Sequence, residues 1–336
     1  MAELKTLFVV SIVTARVFFP GLPASDTSSP FASASKMLNL DVHSTIPSDA
    51  KSSATCTLPQ GLMLGESVEL TVRPNPETTG SPNGVASGTR PGDIPKPTVK
   101  TYWGCSEEVI EGQPNTGSDV DALGSRTTVS SHLDFDPVSY AFLPPASGRI
   151  DTEASAAGTY ALSTNYCGNA SVTVASDQDF LLPVEVIGTS RQSDLEKPIK
   201  VEWKPVPNAV AYILQAFGGK LGESVVWSSS AKPVTATDLE RNPISKEELE
   251  KLVGDGTLLP GSSTSCAIPA GIFKGSDSVM LSITAFGRDT IQLQNGTAVH
   301  VVVRSTTSTP LYSKQYVPPT GSEGPPPSTI EPPPAP

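Results

Sequence analysis

Ile199-Lys200-Val201-Glu202-Trp203-Lys204-Pro205-Val206-Pro207-Asn208-Ala209-Val210-Ala211-Tyr212-Ile213-Leu214 reads as two β-strands meeting at a proline corner. Ile199, Val201 and Trp203 alternate with Lys200, Glu202 and Lys204, the period of a strand with one buried face. Pro205 to Asn208 breaks the ladder, because proline lacks an N–H and asparagine favours turns. A second strand starts at Ala209 and runs to Phe217. Trp203 and Tyr212 are then expected between sheets, as core rather than as a ligand platform.

This order of Trp, short proline turn and Ala-x-x-Tyr resembles the B to C strands of fibronectin type III domains, and implies a sandwich over residues 191–312. Upstream, Glu66 to Arg73, Val99 to Cys105, Ser139 to Leu143, Gly158 to Asn165, Ala170 to Ala175 and Leu182 to Ile187 are short strands bounded by Gly, Pro, Ser or Asp. They predict a first β domain over 54–190. Pro74 to Pro97, rich in Pro, Gly, Asn and Thr, is a long excursion within it. Downstream, Ser278 to Phe286 and Ala298 to Val303 are strands, and Asn295-Gly296 is a hairpin signal. One helix is expected: Ser245 and Glu248 form a capping box, Ile244 and Leu249 its hydrophobic staple, and Gly254 and Gly256 its end. The fold class is mainly β, two sandwich-like domains flanked by disordered termini.

Composition supports loops and tails over helices. Of 336 residues 33 are proline, roughly twice the usual share. Residues 25–53 are Ser, Ala, Thr and Pro rich and read as a flexible leader, and 313–336 as a proline-rich tail that cannot bury a core. The apolar run Leu7 to Ala15, with small residues at Leu22-Pro23-Ala24, reads as a signal peptide over residues 1–24. The chain is therefore expected to be exported, to the periplasm, cell surface or medium. No apolar run elsewhere reaches the ~20 residues that span a bilayer. A formal net charge of -11 opposes phosphate backbones, so nucleic acid is not an expected partner.

Four cysteines, Cys56, Cys105, Cys167 and Cys266, are too widely spaced for a metal knuckle. In an exported chain they suggest one or two disulfides among three full pairings, with Cys105–Cys167 the first choice because both sit in strand-like context of the front half. Four buried thiols are the alternative. His43, His132 and His300 are the only histidines. His300, inside a strand pattern, reads as structural. His132 with Asp119, Asp121, Asp134 and Asp136 has the oxygen for calcium but not the spacing, so these acids read as solvent-facing. Asn169-Ala170-Ser171 and Asn295-Gly296-Thr297 match the glycosylation triplet, the second reading better as a turn. No P-loop, dinucleotide fingerprint, Gly-x-Ser-x-Gly elbow or His-Glu-x-x-His occurs, so no cofactor, metal or catalytic residue is expected.

Thr101-Tyr102-Trp103-Gly104-Cys105-Ser106-Glu107-Glu108 is the most distinctive run. With Gly112-Gln113-Pro114, Val226 to Ser229, Leu258 to Pro260 and Cys266 to Phe273, it resembles a family of uncharacterised exported proteobacterial proteins with a YWGC-type motif. Ser106 replaces that family's second glycine. The resemblance implies a structural role for Tyr102, Trp103, Gly104 and Cys266 and assigns no activity. The expected function is a non-enzymatic envelope or extracellular module, binding a protein or glycan surface or structural; an envelope hydrolase or hydrolase accessory module would instead show a deep cleft gathering acids with raised pKa values.

Overall fold

The computed structural model describes residues 4–19, 34–74, 98–117, 136–144, 150–188, 192–234 and 236–314. The loop at 75–97, His132, Asp119, Asp121, Asp134 and the tail from 315 lie outside the described residues. Among the described residues the strands are β1 (Thr6–Val17), β2 (Ser35–Ser44), β3 (Ala54–Thr57), β4 (Ser67–Pro74), β5 (Thr98–Trp103), β6 (Asn115–Gly117), β7 (Ser139–Phe142), β8 (Gly158–Thr164), β9 (Ala170–Val174), β10 (Val186–Ile187), β11 (Gln192–Ser193), β12 (Ile199–Trp203), β13 (Ala211–Lys220) and β14 (Glu223–Ser228). Helices α1 (Ala236–Arg241) and α2 (Lys246–Gly254) follow, then β15 (Leu259–Pro260), β16 (Ser265–Ile268), β17 (Ser278–Phe286), β18 (Thr290–Gln294) and β19 (Thr297–Ser313). The molecule is mainly β, as expected, and sandwich-like.

One large sheet runs β6-β5-β14-β13-β17-β19-β1-β2-β7-β4-β3-β8-β9, and a small one β10-β12-β16. The long strand β19 unites the halves. Its start pairs with β18 and its end with β17, while β1 runs parallel to it from Thr6↔Thr297 to Val17↔Ser308. Thr6–Val17, expected as the core of a leader, is therefore a central strand, with β2 antiparallel on its other side. Leu7 and Val9 are buried on one face, Phe8, Val10 and Ile12 on the other. Burial on both faces makes a continuous apolar run, which by composition alone looks like a signal segment. Part of the expected flexible leader is likewise ordered, as β2.

The halves share one buried cluster, from Phe8 and Leu40 through Tyr160 and Leu162 to Trp203, Tyr212 and Trp227. The proline corner puts β12 and β13 on opposing sheets, so Trp203 packs on Tyr212 with ring centroids 5.4 Å apart. The Tyr212 hydroxyl accepts from the Val206 N–H at 2.9 Å, which fixes the corner. Asn295 and Gly296, with φ of 49° and 81°, turn β18 into β19 as the dipeptide predicts. The outermost strand β9 meets β18 through side chains: Gln294 bonds the Ser171 N–H and carbonyl at 3.1 and 2.6 Å, and Gln178 Nε2 donates to the Arg288 carbonyl and to Thr290 Oγ1.

The YWGC strand is on the back half's sheet. β5 pairs parallel with β14, from Thr98↔Glu223 to Trp103↔Ser228. Cys105 is bonded to Cys266, with Cα atoms 5.3 Å apart, and Cys56 and Cys167 are buried free thiols. The expected Cys105–Cys167 pairing is thus corrected. Cys105 is near Cys167 in strand context along the sequence, but the parallel pairing of β5 with β14 carries it across to the β12–β16 side. Among the described residues two α-helices are present where one was expected, and α2 has the expected cap, with the Glu248 N–H donating to Ser245 Oγ at 3.1 Å.

Candidate functional site

The motif residues singled out in the sequence serve the fold. Trp227 Nε1 donates to the Gly104 carbonyl at 2.9 Å, and the Gly104 N–H donates to the Ser228 carbonyl. Gln113 bonds both the N–H and the carbonyl of Trp103, at 3.0 and 2.8 Å. Tyr102 packs against the shared core, and Cys266 is buried at the disulfide.

A chemically richer place lies on the opposite face of the central sheet. Pairing aligns Asp41 with Val9 and Val9 with His300, so the three side chains share one row and one face. His43, Leu7 and Ala298 form the next row. Their neighbours Phe8, Val10, Leu40 and Val42 point into the core, which leaves the odd-numbered positions of β1 and β2 to this outer face. Leu7, Val9, Ala298 and Val302 form a small apolar floor.

The end of α1 and the residues after it roof this floor. Asp41, His43, Glu240, Arg241, Asn242 and His300 line, with Leu7, Val9 and Val302 of that floor, a cavity of about 300 Å³. The roof is anchored by Arg304, whose Nη2 donates to the Leu239 and Asn242 carbonyls at 3.1 and 2.8 Å, satisfying acceptors exposed at the end of the helix. Arg304 is held by the carboxylate of Asp289, and its guanidinium lies 4.5 Å from the Phe286 ring centroid. Thr284 Oγ1 donates to Glu240 at 2.8 Å and positions that carboxyl.

Burial sets the proton affinities. It pushes the Asp41 carboxyl up to about 6, and pushes His43 down to about 4, so this imidazole is neutral at neutral pH. The His43 ring stands edge-on to Tyr140, centroids 4.9 Å apart. Burial also raises Glu240, against the opposing pull of the Thr284 hydrogen bond and the charges of Arg304 and Arg241. Asp41 differs: no hydrogen-bond donor or cation meets its carboxyl among the described residues. The cavity thus holds polar groups on rigid strands above an apolar base, the usual make-up of a small-ligand site.

The sequence reads His300 as structural and places Asp41 and His43 in the flexible leader, whereas both lie on β2; it gives Glu240 no role. Their signal was available in part, since Leu38, Leu40 and Val42 alternate with Asn39, Asp41 and His43 as a half-buried strand should. Nothing local announces that Glu240 comes to meet them. Among the described residues no group of three or more His, Cys, Asp or Glu is placed to hold a metal ion, and no helix is long and apolar enough to cross a membrane. No family model, curated protein or solved structure matches the chain.

Proposed function

We propose that this chain is an exported, non-enzymatic binding module of the envelope or extracellular space, and that the cavity over β1, β2 and β19 receives its ligand. One observation carries the reading: Asp41, His43, Glu240 and His300, drawn from three separate parts of the chain, line a single cavity with an apolar floor. Binding sites built on strands hold their groups more firmly than loops do, which suits recognition. The Cys105–Cys266 disulfide supports an oxidising compartment, as does the resemblance of the YWGC segment to exported proteins. Cleavage near Leu22 to Ala24 would remove β1 from the middle of the sheet, so the exported form is proposed to retain Thr6–Val17. The partner is a protein, a glycan or a small molecule that inserts one polar group into the cavity.

Two acids with raised pKa values in one cavity favour a second reading, a hydrolase of the envelope, because a carboxyl protonated near neutrality can act as a general acid. One screen separates the two. The imidazole resonances of His43 and His300 are followed by NMR while glycans, peptides and small metabolites are added, and product formation is assayed in parallel. Binding that shifts both rings without turnover supports the module. Turnover that Asp41→Asn or Glu240→Gln abolishes replaces it with the hydrolase, and ligands that bind only elsewhere sink both.

A further inference from the structure

We infer that the cavity is selective for a small alkylammonium group, with the Asp41 carboxylate as its counter-charge and the floor of Leu7, Val9 and Val302 under its carbon chain. This rests on reading the cavity as the ligand site and adds the ligand's class.

The inference comes from the inventory of charge around the cavity. Among the described lining residues the ionisable groups are Asp41, Glu240, Arg241, His43 and His300. Glu240 already has company: the Thr284 hydroxyl bonds it, and Arg304 and Arg241 lie close enough to act on its charge. Arg304 is itself committed to Asp289. Arg241 is exposed at the rim. His43 supplies no positive charge at neutral pH, because burial keeps it neutral. His300 has an interaction of its own and stands two strands from Asp41, with Val9 between them. One carboxyl, that of Asp41, remains without a cation or donor, in register with the apolar Val9.

A half-buried carboxylate without a partner is costly, and a cation that enters beside it recovers that cost together with the Coulomb attraction. An anion would face Asp41 and Glu240. A neutral sugar would want an aromatic platform, and no aromatic carbocycle lines the cavity among the described residues. A short aliphatic amine meets both halves of the site, because its ammonium suits Asp41 and its chain suits the floor. Volume agrees, since about 300 Å³ lies at the small end of ligand sites.

The test titrates the full chain with n-butylamine and with n-butanol at pH 7, reading the ring resonances of His43 and His300. The amine is expected to saturate both with a Kd in the millimolar range, ordinary for so small a probe, and the alcohol to bind at least tenfold more weakly. Asp41→Asn, which keeps shape and removes charge, is expected to abolish the preference. Equal binding of amine and alcohol, or a preference that survives Asp41→Asn, overturns the ammonium and leaves the cavity standing as a ligand site. Failure of both probes to move either ring overturns the cavity reading as well. The amine-to-alcohol comparison on the unsubstituted chain decides the matter even if Asp41→Asn does not fold. Acetyl-lysine methylamide, bearing the same ammonium on a bulkier body, separates the sources: competition with n-butylamine identifies a partner's lysine, and no competition identifies a free amine.

Discussion

Arg304 and Asp289 form a two-pronged ion pair, Nη1 to Oδ1 at 2.7 Å and Nη2 to Oδ2 at 2.8 Å, with both side chains at most 3% exposed. Asp289 also accepts the N–H groups of Ile244 and Val303, each at 2.9 Å, so a single carboxylate ties the cavity roof to β19. Removing one partner strands the other charge in the interior. Asp289→Ala is expected to lower stability by about 3–5 kcal/mol in urea denaturation. It should also shift the His300 ring resonance, because the roof moves. A loss below about 1 kcal/mol would mean that water reaches Arg304 and replaces the carboxylate.

Cysteine chemistry gives a second check. The native chain is expected to yield a single linked peptide pair, Cys105 with Cys266, on mass mapping without reduction. Cys56 and Cys167 are buried, and burial pushes the Cys56 thiol up to about 12, so thiolate reagents should modify neither until the chain unfolds. Two labels per native chain, or a Cys105–Cys167 peptide, would contradict the pairing of β5 with β14. Replacing both Cys105 and Cys266 by serine should cost about 2–5 kcal/mol, because the crosslink joins points far apart in the chain.

What the sequence made legible was what neighbouring residues decide. Alternation found β12, β17 and most of the front strands, the Asn295-Gly296 pair gave its hairpin, and Ser245 with Glu248 gave the start of α2. What escaped depends on distant partners. Leu7 to Ala15 carries the same composition whether it is a leader or a strand buried on both faces, and only the flanking β2 and β19 distinguish the two. Thr98–Trp103 has no local mark that sends it to β14. The candidate site is the extreme case: Asp41 and His43 come from one strand, His300 from another 257 positions beyond His43, and Glu240 from a helix end, so no spacing rule could join them.

Gly104 gives a prediction about the YWGC segment. Its φ is 100°, in the region L side chains rarely adopt, and an added Cβ would meet Ile110 Cδ1, the tip of an exposed side chain that can turn away. Its carbonyl holds the buried Trp227 indole, so a shift of the backbone would also strand that N–H. Gly104→Ala is expected to cost about 1–3 kcal/mol. The loss should appear as a lower thermal midpoint and as faster proteolysis between Cys105 and Pro114. An unchanged midpoint would show that the turn at Gly104 adapts freely.

Asp41 and His43, two of the titrating groups of the cavity, should leave opposite marks on stability against pH. Asp41 has its folded pKa raised from an ordinary value of about 3.9 to about 6. The folded chain therefore binds the extra proton between those values, and stability falls as pH rises from about 4 to about 6, then levels. His43 is lowered from about 6.5 to about 4, so the unfolded chain binds the extra proton and stability rises across nearly the same window. Each effect amounts to at most about 3 kcal/mol, and in the unsubstituted chain they largely cancel. Substitution separates them. The stability of Asp41→Asn minus that of the unsubstituted chain should climb between pH ~4 and ~6, while the same difference for His43→Gln should climb in the other direction, from pH ~6.5 down to ~4. All other titrating groups drop out of these differences. Denaturant midpoints at half-unit pH steps read both curves, and difference curves that stay flat would mean that water reaches Asp41 and His43 freely.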